Sequence, residues 1–119
     1  MNPISKAASN LLLGLLLTVP ASGQINIAGI GAISCAGFLK EAEGNTATEK
    51  HYFAWAQGYM SGLLIRAPKG VDEDLNLIPP TFPLFKQVTF LRDYCIAHPE
   101  HDYVDSVQML YRTLRSPSG

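Results

Sequence analysis

Residues 52–62 read Tyr52-Phe53-Ala54-Trp55-Ala56-Gln57-Gly58-Tyr59-Met60-Ser61-Gly62, a stretch that holds the only tryptophan of the chain and four aromatics in eleven residues. Tyr52, Trp55 and Tyr59, with Leu63 beyond them, recur at i, i+3, i+7 and i+11 and so share one helical face. Phe53, Ala56, Met60 and Leu64 widen that stripe. Gly58 and Gly62 stand four apart and leave a bare patch one turn long. Each glycine lowers helix propensity by roughly 1 kcal/mol relative to alanine, a cost that makes sense where another backbone packs closely. The stretch predicts the central helix of a small bundle. Trp55, Gly58, Tyr59 and Gly62 form its core motif, with a neighbouring helix expected against the two glycines. No side chain in it has the chemistry of a catalytic group.

The flanking sequence punctuates three further helices. Thr46 followed by Glu49 reads as a capping box that starts the central helix, which continues to about Ile65. Before it, Ser34 can cap a short first helix whose apolar positions are Cys35, Phe38, Leu39 and Ala42, with Gly44 as a left-handed stop. After it, residues 66–80 hold three prolines, a glycine and the acidic triplet Asp72, Glu73 and Asp74, which predicts a long loop. A third helix begins near Thr81–Pro83, carries the stripe Leu84, Val88, Leu91 and Cys95, and ends at Pro99. The last helix starts there, with Glu100 and Asp102 near its positive end and Arg112 and Arg115 near its negative end. Its buried face is Tyr103, Val107, Leu110, Tyr111 and Leu114. The fold class is therefore all-α, a small four-helix domain.

The amino terminus reads as a leader. Lys6 precedes an apolar run from Leu11 to Leu17, Pro20 breaks it, and Ala21 and Gly23 offer small residues for cleavage before Gln24. This predicts a signal peptide over 1–23 and a single soluble, secreted domain over 24–119. The run is too short to span a bilayer, and Ser22, Gly23, Gln24 and Asn26 prevent its joining the apolar segment 25–33, so no stable membrane span is expected. That segment reads as an extended arm. Its Gly-rich start lacks the preceding strand and third glycine of a dinucleotide site.

The chain carries a net charge of −1 at neutral pH with nine basic residues scattered along it, which argues against nucleic acid as a partner. Its two cysteines, Cys35 and Cys95, have one possible pairing and in an oxidising compartment predict a disulfide. Closing a loop of that length contributes about 4 kcal/mol in the chain-entropy picture. His98 and His101, with Glu100 and Asp102 nearby, form the one metal-like cluster in the sequence. An i, i+3 histidine pair supplies two ligands where a zinc site wants three or four, so neither metal nor other cofactor is expected. No serine sits in a nucleophile turn and both cysteines are paired, so the chain does not read as an enzyme.

Cys35-Ala36-Gly37-Phe38-Leu39, Trp55 to Gly62, Tyr94-Cys95 with Pro99 four residues on, and an amphipathic closing helix together resemble the periplasmic immunity family of the Rap/Tai type. That resemblance covers residues 35–114. It implies an all-helical, disulfide-linked and often homodimeric protein of the periplasm that protects against type VI secretion by plugging the cleft of a peptidoglycan amidase with a loop. The loop acids Asp72, Glu73 and Asp74 are the expected contact residues. The same layout is similar to that of small acid-stress chaperones of the HdeA type, which implies the alternative of acid-triggered client binding.

Overall fold

The computed structural model describes residues 25–116 and the single position Gly14; the expected signal peptide and the last three residues lie outside them. Among the described residues the chain is all-α. A 3₁₀ turn at Ile30–Ala32 leads into α1 (Cys35–Ala42), α2 (Thr46–Ile65), α3 (Leu84–Ala97) and α4 (Tyr103–Arg115). No described helix is long and apolar enough to cross a membrane.

Side-chain chemistry sets most helix ends. Ser34 Oγ accepts from Gly37 N at 3.0 Å and caps α1, and Gly44 turns the chain with φ 63° after it. The cap of α2 is Asn45, whose Oδ1 accepts from Thr48 N at 3.1 Å. The expected Thr46–Glu49 capping box does not form, because Glu49 turns outward to pair with Arg92 of α3. The last helix starts at Tyr103 instead of Pro99. Asp102 and Asp105 form a reciprocal capping box there, and residues 98–101 are spent in a turn.

Four elements converge on one aromatic triangle. Phe38 of α1, Tyr52 of α2 and Tyr103 of α4 lie with ring centroids 4.7–4.9 Å apart, each nearly fully buried. Leu91 and Cys95 of α3, Ala56 and Met60 of α2, and Val107 and Leu110 of α4 complete the core. Cys35 and Cys95 are disulfide-bonded, joining the first turn of α1 to the last turn of α3 across this core. Backbone bonds from Cys35 N to His101 O (2.7 Å) and from Tyr103 N to Ile33 O (2.8 Å) tie the starts of α1 and α4 together, satisfying donors that a helix start leaves free.

The buried stripe of α2 is narrower than the one expected. Tyr52, Phe53, Ala56 and Met60 face the core, Trp55 and Tyr59 sit half-buried at its edge, and Leu63 is exposed. Gly58 and Gly62 are exposed too, and a Cβ at either would meet no other part of the chain. The expectation of a neighbouring helix packed on them is therefore corrected. The segment 25–33 does cover part of α2: Gly31 is buried under the Trp55 ring so closely that a Cβ there would overlap Cη2, Cζ2 and Cζ3.

Candidate functional site

The connection between α2 and α3 is built from consecutive hydrogen-bonded turns. Val71 N donates to Pro68 O, Leu75 N to Asp72 O and Phe82 N to Pro79 O, at 2.9–3.0 Å. Gly70, with φ 82°, donates its N–H to Glu73 Oε1 at 2.7 Å. Leu75, Leu77 and Phe82 turn inward and pack against the core. The buried Gln87 of α3 holds the far end of the loop, its Nε2 donating to Leu77 O (2.9 Å) and Phe82 O (3.1 Å).

The three acidic residues of this loop have different surroundings. Asp72, one of the expected contact residues, is engaged within the chain. It accepts from Tyr111 Oη at 2.9 Å and from Arg115 Nε at 2.7 Å, and its side chain is only 11% exposed. The contact fixes the loop to α4 and holds Asp72 in the left-handed region at φ 60°, a conformation aspartate accepts more readily than most residues. Burial, and then the bond to Asp72, raise the Tyr111 phenol above its usual range, so it donates as a neutral hydroxyl. Glu73 is committed to the Gly70 turn, and Asp74 is exposed. Only Asp74 presents an uncommitted carboxylate.

Beside Asp72 a groove of about 680 Å³ runs along α2. It is lined by Gly58, Tyr59, Gly62, Leu63, Arg66 and Val71, with Tyr111 and Arg115 of α4. Tyr59 is held by its stack on Trp55, with centroids 5.2 Å apart at 18°, and by Gln108 Nε2, which donates to its hydroxyl at 2.9 Å. Gly58, Tyr59 and Gly62 thus line one surface groove, while Trp55 packs at the edge of the core over Gly31. Of the nine large apolar side chains exposed among the described residues, six (Leu63, Ile65, Val71, Ile78, Leu84 and Phe85) lie between 63 and 85, so the apolar surface collects around this loop. Loop periodicity carries no signal for that exposure.

His98 and His101 flank the turn before α4, as the sequence placed them, with Glu100 between them and Cys95 one turn back in α3. Tyr94 Oη lies 2.7 Å from His101 Nδ1. The loop and groove offer apolar surface and a few fixed polar groups. Comparison with protein-family models, curated proteins and solved structures returns no match. The fold defines a class, a small all-α domain with one disulfide.

Proposed function

We propose that this chain is a periplasmic binding protein of the immunity type, which occludes the active-site cleft of a peptidoglycan amidase with its 66–83 loop and the adjoining groove of α2. The observation that carries this reading is the pair of unpacked glycines. Gly58 and Gly62 together cost the helix roughly 2 kcal/mol relative to alanine, and among the described residues nothing uses the space they leave. A partner backbone lying in the groove would use it. The loop beside them supports the same reading, because its anchors at Asp72 and Gln87 fix its shape before binding, which lowers the ordering cost of association. The exposed apolar side chains around it supply area to bury. The resemblance of residues 35–114 to the Rap/Tai type supplies the class of partner.

A second reading, acid-triggered client binding, is favoured by one observation. The Arg–carboxylate pairs Glu49–Arg92 and Asp72–Arg115 each tie separate elements together, and the second holds the loop against its exposed apolar neighbours. Strong acid gives the chain a large net positive charge, and that self-repulsion loosens a small fold. Affinity capture with the oxidised protein from an envelope extract at neutral pH separates the two readings. A single cell-wall amidase co-eluting stoichiometrically is the result expected. A broad set of envelope proteins that grows as the pH falls, with suppression of client light scattering at about pH 2–3, would replace the immunity reading with the chaperone one.

A further inference from the structure

The sequence offers two histidines with Glu100 between them; the fold brings the three donors together on a rigid frame. His101 N donates to His98 O at 3.0 Å, closing a four-residue turn with Pro99 and Glu100 at its centre. Proline is well suited to the second position of such a turn. The turn is then pinned from outside, because Cys35 N and Ala36 N of α1 donate to His101 O (2.7 Å) and Pro99 O (3.0 Å). On this frame the two imidazole rings stack with centroids 4.6 Å apart at 14°. One ring nitrogen of each histidine and one carboxylate oxygen of Glu100 lie within 4.8 Å of one another. His101 Nε2 is already 3.6 Å from Glu100 Oε1.

We infer that His98, Glu100 and His101 form a surface binding site for one divalent transition cation of the zinc and copper class. Donors around a tetrahedral zinc sit about 3.4 Å apart. Glu100 is exposed and free to swing, and both rings are half-exposed, so closing the remaining distance needs side-chain rotation alone. Two imidazoles and a carboxylate suit borderline divalent ions, whereas calcium and magnesium prefer all-oxygen sites. Three protein donors leave further positions to water. Tyr94 supplies the outer contact that a metal-bound histidine wants. When Nε2 binds the ion, the proton resides on Nδ1 and is donated to Tyr94 Oη, which fixes the ring. Tyr94 is thus a positioning residue. The site lies apart from the α2 groove, and no part of it depends on the proposed amidase partner.

Titration calorimetry of the full, oxidised chain without a histidine tag tests this with zinc(II), and copper(II) paramagnetic resonance tests the donors. One ion per chain is expected, with the copper signal split by two nitrogens. H98A and H101A are expected to weaken binding by at least about 100-fold and Y94F by about tenfold, the range seen for outer partners of metal-bound histidines. H51A, at an exposed site on α2, is expected to bind as the unaltered chain does. The turn is on the surface, and circular dichroism verifies that each variant is folded. Absence of saturable binding, or affinity unchanged in folded H98A and H101A, overturns the inference. Equal loss in H51A also overturns it.

Discussion

Replacing Asp72 by asparagine should free the loop without unfolding the bundle. Asparagine tolerates the φ of 60° as well as aspartate does and keeps an acceptor, so the substitution isolates the charge. The bond comes from an Arg115 side chain that is 45% exposed, so screening holds its loss to about 0.5–1 kcal/mol. The Tyr111 hydroxyl loses a charged acceptor, which adds about 1 kcal/mol. D72N should therefore cost about 1.5–2 kcal/mol. D72A adds the strain of alanine in the left-handed region, about 1–2 kcal/mol more. In a domain of this size each kcal/mol lowers Tm by roughly 4–8 °C. Urea unfolding reads the global change, and amide exchange at residues 71–75 reads the release of the loop. D74A, at an exposed carboxylate, should stay within about 0.5 kcal/mol of the parent. The reasoning fails if D72N matches the parent in stability and leaves exchange at Val71 and Leu75 unchanged.

Other substitutions and conditions probe the remaining contacts. G31A should force the 25–33 segment off Trp55, at a cost of about 1–3 kcal/mol, and shift the emission of the single tryptophan to the red; unchanged emission contradicts that packing. G58A and G62A should each raise stability by about 0.5–1 kcal/mol, since the added methyl meets open space and alanine favours helix; denaturant midpoints that fall would show a hidden packing partner. Burial raises the Tyr52 and Tyr103 phenols above their ordinary value, and Glu41, which accepts from Tyr52 Oη at 2.6 Å, adds to the first. The folded state thus keeps protons the unfolded state releases. Stability should be level from about neutral pH to about pH 10 and fall above it by up to about 2.7 kcal/mol per pH unit, with phenolate absorbance rising only as the protein unfolds. Two phenols titrating freely in the folded protein would refute this.

What the sequence disclosed depended on whether the deciding signal was local. Ser34 capping α1, Gly44 ending it, and the stripe Tyr103, Val107, Leu110 and Tyr111 of α4 are local patterns, and all are present in the structure. The Cys35–Cys95 disulfide needed only the count of cysteines. The central helix was harder because it is apolar around most of its circumference, where Tyr52, Trp55, Tyr59 and Leu63 are joined by Phe53, Ala56, Met60 and Leu64. Periodicity does not say which part of so wide a stripe lies innermost. Packing of Tyr52 against Phe38 and Tyr103 put Tyr52, Phe53, Ala56 and Met60 inward, which left Trp55 and Tyr59 at the edge and Leu63 and the glycines outside. At the start of α2 two adjacent residues could cap, and Glu49 was claimed by an arginine 43 positions away. Asp72 was likewise claimed by Tyr111 and Arg115, 39 and 43 positions on. The buried position of Gln87 follows from the carbonyls of Leu77 and Phe82, which turn toward it only once the loop is formed. Partners so far along the chain leave no local trace.

The central claim is that the groove over Gly58 and Gly62 receives a partner. The most direct measurement compares capture of envelope proteins by the oxidised parent with capture by a G58L/G62L variant. Both leucines would start from a Cβ in open space, so the variant should fold with its disulfide intact and an unchanged helical spectrum. The account predicts that the parent retains one cell-wall amidase and the folded variant loses it. Equal retention by both proteins would contradict the groove as the binding face.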